Sequence, residues 1–283
     1  MKILFKNILK LILKLIKKIF IWYGYNFEIK FSKEKILNKN NQLNLNIGAG
    51  QYVINNFKSL DFYSKHYYPN KKKFHEEVVE YEIRQDNIPY EDNSVDNIYV
   101  SHVIEHIEDK YVTKLIKECC RVLKPSGVLR ISCPDGKFLF NVSSFSNDYW
   151  NWREQGSFSN KQRYNTDWNS IDQYDYLIRE LSTPNCRFYN YKIKNNLPNN
   201  EELKKLSYKE LKEMLTEGLT FREKNPGDHI NIHDYDSLYE KGIKHGFNKV
   251  IESKKNGSVS ISMQGDEFDR TAPMMSLYIE MIK

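Results

Sequence analysis

Leu43 to Asp61 reads LNLNIGAGQYVINNFKSLD, an apolar, strand-like run that opens into Gly48-Ala49-Gly50 and is followed by a second apolar run closing on a carboxylate. Glycines there let the backbone turn tightly and approach a ligand where a Cβ would collide. A carboxylate at the tip of the neighbouring strand can accept two hydrogen bonds from a ribose diol. This order of parts suits the binding of a nucleoside-containing cofactor. A second group is His102, Glu105 and His106, in the run HVIEH. Its spacing of three and four would place the three side chains along one side of a helix start, where a divalent metal could sit. The reading adopted is a structural role beside the cofactor, with no metal.

These residues need elements to hold them. Tyr81–Asp86 reads as a strand ending in an acid, Ile88–Asn93 as a turn, and Ser94–Ser101 as a mostly apolar strand. From His102 to Lys124, apolar residues including Val103, Ile107, Val112, Leu115, Ile116, Cys119 and Val122 recur at close to helical spacing, and Pro125-Ser126-Gly127 ends the run. Gly127–Ser132 is a buried-strand pattern finishing at Cys133-Pro134-Asp135. Only ten residues separate Gly50 from Asp61. A crossover between parallel strands normally takes about a dozen residues with a helix, so this one is expected to be a short loop or a single turn.

With these motifs in register, the chain resembles the class I methyltransferases that use S-adenosylmethionine (SAM), in the type 11-like branch whose members often sit among surface-polysaccharide enzymes. LNIGAG is similar to the family's first glycine motif, SLDF to its acidic second-strand end, and RQDNIPYEDNSVDNIYVSHVIEHIED to its adenine-side loop, fourth strand and following helix. ECCRVLKPSGVLRISCPD is similar to its next helix, Lys-Pro-x-Gly turn and fifth strand, and residues 235–247 and 276–280 to its last helix and final strand. The resemblance covers roughly residues 43–135 and 229–283. It departs at Asn46, where the family has an acid, and at Tyr52, where it has a third glycine.

The resemblance implies an α/β fold, a Rossmann-like doubly wound sheet, with SAM as cofactor. It places Asn46, Gly48 and Gly50 at the methionine end, Asp61 at the ribose hydroxyls, and Asp86 with Asn87 at the adenine. Ser101 and His102 would line the floor beneath the methyl group. Methyl transfer to a hydroxyl calls for a base, and histidine is the natural one. The candidates are His229, His233, His102 and His106, with Asp228 and Asp234 able to orient His229 and His233.

The chain then divides into a basic amphipathic helix (1–27), a SAM-binding core (40–135), an acceptor-binding insertion (136–228) and the C-terminal part of the core (229–283). Within the insertion, Trp150, Trp152 and Trp168 lie among Asp148, Arg153, Asp167 and Asn169. Flat aromatic faces flanked by polar groups suit a sugar ring, although the same tryptophans could form the insertion's own core. The expected reaction is methyl transfer to a glycan, sugar-nucleotide or glycolipid precursor. The alternatives are a methyltransferase of a small or lipid-like metabolite, or a non-catalytic scaffold of the same fold at a membrane.

Charge narrows the partners. Six lysines, Lys2, Lys6, Lys10, Lys14, Lys17 and Lys18, precede the first acid, Glu28, and the other 37 basic residues match the 37 acidic ones. A body without basic excess gives no grip on nucleic acid. The four cysteines show no CxxC spacing and are expected to be buried, reduced thiols. In residues 1–22 the lysines fall mostly on one helical face and Ile3, Leu4, Ile8, Leu11, Ile12, Leu15, Ile16 and Ile19 on the other. A lysine every three or four residues is unsuited to a membrane span or a signal peptide, and suits a helix lying in the headgroup plane. The expected location is cytoplasmic, at the inner face of the cell membrane. The protein is therefore expected to pellet with anionic liposomes, and a chain lacking residues 1–22 to stay in solution. Equal pelleting of the two would exclude the membrane contact.

Overall fold

Strands of a parallel sheet are covered on both faces and so read as continuous apolar runs rather than alternating ones. Three segments meet that condition: β1 (Asn44–Ile47), β4 (Val95–Ser101) and the C-terminal part of β5 (Leu123–Pro134) are buried along nearly their whole length. The computed structural model describes residues 42–145, 148–150, 173–186 and 197–283. The expected amphipathic helix, Trp152 and Trp168 lie outside the described residues.

Around these strands stand β2 (Lys58–Asp61), β3 (Val78–Glu80), β6 (Lys249–Glu252) and β7 (Ser276–Ile282), giving one sheet of order β3-β2-β1-β4-β5-β7-β6. β7 runs antiparallel to both β5 and β6, and the other neighbouring pairs are parallel. This is the Rossmann-like, doubly wound arrangement expected from the sequence. The helices are α1 (Lys71–Glu77), α2 (Asp109–Val122), α3 (Gly136–Phe145), α4 (Gln173–Leu181), α5 (Asn200–Leu203), α6 (Tyr208–Thr216) and α7 (Tyr235–Lys244). α2 turns Val112, Leu115, Ile116, Cys119 and Val122 into the core, as its spacing predicts. All four cysteines are buried and none is in a disulfide among the described residues.

Two elements differ from the sequence expectation. The strand expected over Tyr81–Asp86 lies upstream, at Val78–Glu80, and residues 83–85 form a turn. The Asp86 carboxylate accepts the Glu82 amide at 2.8 Å, and the Gln85 and Asp86 amides donate to the Glu82 carbonyl, so local bonds displace the ladder there. The helix expected from His102 begins only at Asp109, after a 3-10 turn at Ile104–His106. The Glu105 carbonyl accepts the amides of Ile230 and Asn231 at 2.8 and 3.1 Å, and the Ile104 carbonyl faces His233 Nε2 at 3.1 Å. Carbonyls used in this way cannot also serve a helix, so His102, Glu105 and His106 do not share a helix face.

The described part of the insertion packs into its own cluster around Trp150, Leu177, Leu211 and Leu215, which also takes in Ile232 and Met275. Trp150 is 2% exposed and stacks on Tyr176 at 5.8 Å between ring centres. It is a core residue, so it offers no face to a sugar.

At the other end of the sheet, Arg130 on β5 is fully buried. It pairs with Asp269 at 2.6 Å and with Glu280 of β7 at 3.1 Å, and donates to Ser253 Oγ and the Lys254 carbonyl. Asp269 also takes the Asn256 amide at 2.8 Å, and its own amide donates to Tyr99 Oη at 2.7 Å. This network ties the segment around Asp269 to the sheet. Asp269→Ala would leave a buried guanidinium short of its closest partner and is expected to lower unfolding free energy by about 3–5 kcal/mol, read as a lower urea midpoint. A change under about 1 kcal/mol would show that the pair does not hold this segment.

Candidate active site

In a doubly wound sheet, ligands bind outside the carboxyl ends of the strands where the strand order reverses. Here that point lies between β1 and β4, and a cavity of about 640 Å³ opens there. Its walls come from the loop after β1, the tips of β2 and β4, the turn after β4, and the segments around Phe221, His229 and Arg270.

The loop after β1 crosses to β2 without a helix, as its length requires. Gly48 has φ +68°, and a Cβ there would stand 2.3 Å from Val103 Cγ2, so both the backbone and the packing demand glycine. Gly50 is also left-handed at φ +55°, with open space where a Cβ would be. Asp61, at the end of β2, takes the Gly50 amide and the Tyr68 hydroxyl on Oδ2 and the Phe62 amide on Oδ1, each at 2.8 Å. Burial raises its pKa against the opposing effect of these hydrogen bonds. Asn46 sends Nδ2 to the Tyr52 carbonyl at 3.2 Å and closes the loop from below. Asn46, Gly48, Gly50, Asp61, Ser101 and His102 all line the cavity. A glycine cradle beside a buried carboxylate fits a nucleoside cofactor with an extended tail.

Asp86 and Asn87, placed at the adenine by the sequence reading, are exposed and are not among the lining residues. The turn that replaces the expected strand points Glu82 inward instead, its carboxylate in a two-bond pair with Arg84 at 2.7 and 3.0 Å. The Arg84 guanidinium lies 3.8 Å from the ring centre of Phe221, which also lines the cavity. Glu82 could have been found from its place just after a strand-like run. Phe221 carries no signal in the sequence.

The histidines separate. His102, with φ +52°, His106 and His229 line the cavity. His102 places Nε2 2.8 Å from Ser276 Oγ and Nδ1 3.0 Å from Glu105 Oε1. His106 donates from Nδ1 to the Asp228 carbonyl at 2.9 Å, and His229 from Nδ1 to the Glu180 carbonyl at 2.5 Å. The two rings stand 5.0 Å apart. His233 faces the core, 2% exposed and outside the cavity lining. The carboxylates meant to orient the last two histidines do other work. Asp228 is held by Arg222, and Asp234 caps α7 while taking Tyr208 Oη at 2.8 Å and Lys212 Nζ at 3.2 Å.

Glu105 is 1% exposed; its Oε1 lies 3.0 Å from His102 Nδ1, and among the described residues no hydrogen bond reaches Oε2. Burial alone would raise its pKa, but the charges of His102, His106 and His229 overcome this and hold it at about 2. His229 is pushed the other way, to about 4, chiefly by burial and then by His106. At neutral pH the site therefore holds an ionised carboxylate beside a neutral imidazole.

Residues 45–131 match the family of the methyltransferase domain. No curated protein matches the chain. Similar solved structures include the SAM-dependent methyltransferase SibL in its apo form, with 12% identity over 88% of this chain and 52% of that one, at a TM-score of 0.38. A SAM-dependent methyltransferase from Archaeoglobus fulgidus is 13% identical over 95% and 94% of the two chains, at a TM-score of 0.41. Another from Thermotoga maritima is 15% identical over 85% and 82%, at a TM-score of 0.38. The chain thus spans about half the length of the first of these. Among the described residues, no helix is long and apolar enough to cross a membrane.

Burial holds His233 neutral, with a pKa of about 4 against the ordinary 6.5 of an unfolded chain; Lys212 lowers it further, and the bond to Ile104 opposes. Between those values the unfolded chain binds the extra proton, so this contribution is complete above pH 6.5 and is lost as pH falls toward 4. His233→Gln keeps an amide donor for the Ile104 carbonyl but does not titrate. It is expected to lose less stability across that window than the parent, measured by urea unfolding at several pH values. Parallel curves would show that His233 is not the titrating group.

Proposed function

Residues 45–131 match the methyltransferase-domain family, and from that premise we propose that the protein is a SAM-dependent methyltransferase that methylates a hydroxyl oxygen of a glycan, sugar-nucleotide or glycolipid precursor. The observation that carries the reading is the meeting of imidazoles from distant parts of the chain, His102, His106 and His229, in the cavity of the glycine loop. SAM bound there would supply a methyl group already activated on a positively charged sulfur. What remains for the protein is to align an acceptor oxygen and to take its proton.

A carbonyl can only accept, so the bonds from Nδ1 of His106 and His229 fix the proton on that nitrogen and leave a lone pair on Nε2. Either Nε2 can receive the hydroxyl proton. Ionised Glu105, 3.9 Å from His106 Nε2, would stabilise the imidazolium that forms. The volume of about 640 Å³ is within the range of cavities that enclose a cofactor-sized ligand. Glu82, Glu267, Arg270 and Thr271 on its walls suit a partner with many hydroxyls. The basic amphipathic run of residues 1–22 supports placing the reaction at a membrane surface, where lipid-linked acceptors lie.

Calorimetric titration with SAM and with its demethylated product tests the cofactor half of this reading. Binding by the parent is expected, weakened about tenfold or more in Asp61→Ala, a loss of at least ~1.4 kcal/mol. Labelled methyl transfer to sugar nucleotides or glycolipids in preference to lipids without a sugar tests the acceptor half. A folded protein that binds no SAM would overturn the proposal, and preference for lipids without a sugar would replace the acceptor.

A further inference from the structure

SAM carries an amino-acid tail whose carboxylate is anionic at neutral pH, so a cavity that takes SAM has to meet that charge. In an open α/β sheet, a helix that follows the first strand can meet a ligand's negative charge with its N-terminus. Here no helix stands between β1 and β2. The face of the sheet that such a helix would cover is closed by other chain: Ile54 and Phe57 from the β1–β2 link pack there with Met263 and Phe268, against Tyr99 of β4 and Val128 of β5. Phe268 meets Phe57 and Tyr99 edge to face, at 5.4 and 5.0 Å between ring centres. Two residues beyond Phe268, Arg270 stands on the cavity wall. We propose that Arg270 takes the place of the missing helix N-terminus and binds the carboxylate of the SAM amino-acid tail.

Among the described residues, the guanidiniums on the cavity walls are those of Arg84 and Arg270, and no lysine joins them. Arg84 is spent on Glu82 through two bonds and lies over the Phe221 ring. Arg270 gives only Nε, to the Asp266 carbonyl at 2.6 Å, and among the described residues no carboxylate pairs with it. That bond orients the guanidinium and leaves both Nη groups, a pair of donors matched to a carboxylate. The segment is also held in place. Asp269 and Ala272, on either side of Arg270 and Thr271, have φ of +54° and +40°. That conformation costs a non-glycine residue energy and persists only where its surroundings impose it. The Arg130 ion pair imposes it at Asp269, and the Ser276 hydroxyl, which donates to the Ala272 carbonyl at 2.9 Å, imposes it at Ala272. Glu267 on the same wall offers a carboxylate to the ammonium of the tail, so the wall presents both signs to a zwitterion.

The inference rests on the methyltransferase reading and deepens its cofactor half. Decarboxylated SAM lacks the carboxylate and keeps the sulfonium, the ammonium and the nucleoside, so it isolates the contact. In calorimetric titration the full-length parent is expected to bind SAM about tenfold or more tighter than decarboxylated SAM. In Arg270→Gln that preference should vanish through loss of SAM affinity, with decarboxylated SAM bound as in the parent. Arg270 is exposed, so its replacement spares the core, and unchanged binding of decarboxylated SAM reports an intact cavity. Arg270→Lys keeps the charge and loses the paired donors, and should retain a fraction of the preference. A parent without the preference, a preference that survives in Arg270→Gln, or equal loss of both ligands in that variant would overturn the role of Arg270 and leave the methyltransferase reading standing. A folded parent that binds neither ligand would strike that reading instead.

Discussion

The site depends on a backbone clasp between the turn after β4 and the chain returning at residues 228–233. Carbonyls of the turn must be satisfied somewhere, and a helix would satisfy them internally. Here Glu105 receives the Ile230 and Asn231 amides, Ile107 receives Asn231 Nδ2 at 3.1 Å, and Ile104 faces His233 Nε2. The turn gives up a helical start and gains a partner more than 120 positions away. That exchange brings His229 beside His106 and Glu105. It also explains His233: the ring that might have served as a base is one of the pins of the clasp, buried where no acceptor reaches.

A second constraint is the short link from β1 to β2. Without a crossover helix, the loop lacks a helix N-terminus to hold a cofactor's anionic groups, and side chains shape it instead. Asp61 fixes the Gly50 amide, and Asn46 fixes the Tyr52 carbonyl. The departure at Asn46 then has a physical reason, because an amide can donate to a carbonyl and a carboxylate cannot. Tyr52 is tolerated where the family has glycine because its φ is not positive and the residue is 60% exposed. Both departures are consistent with one tightly braced loop.

Much of the sheet was legible in the sequence because apolar runs at β1, β4 and β5 and the Pro-Ser-Gly break are local signals. The glycine loop and Asp61 were legible for the same reason. The turn after β4 was not: the apolar spacing from Val103 onward is helical, and only bonds from residues 230–233 override it. Glu82 displaced Asp86 for a similar cause, since the Asp86 side chain is spent closing a turn on the Glu82 amide. Trp150 stayed open between a sugar platform and the insertion's core, because burial of a tryptophan cannot be judged from its polar neighbours. Phe221 and the pairing of Glu105 with His229 depend wholly on the path of the insertion.

The far end of the sheet bears on the same cavity. Arg130, Asp269 and Glu280 are all buried, and an apolar trio of similar volume could stabilise the fold as well or better. Stability alone therefore does not account for the ion pairs. Apolar packing, however, is non-directional, whereas the guanidinium fixes the direction of each bond it makes. Asp269 is the residue before Arg270 and two before Thr271, both of which line the cavity opposite the glycine loop. The directional bonds at Arg130 set where that wall stands, while the clasp at Glu105 sets the floor. A cofactor-sized space between them persists because each boundary is fixed by hydrogen bonds to the sheet or its turns rather than by contact across the cavity.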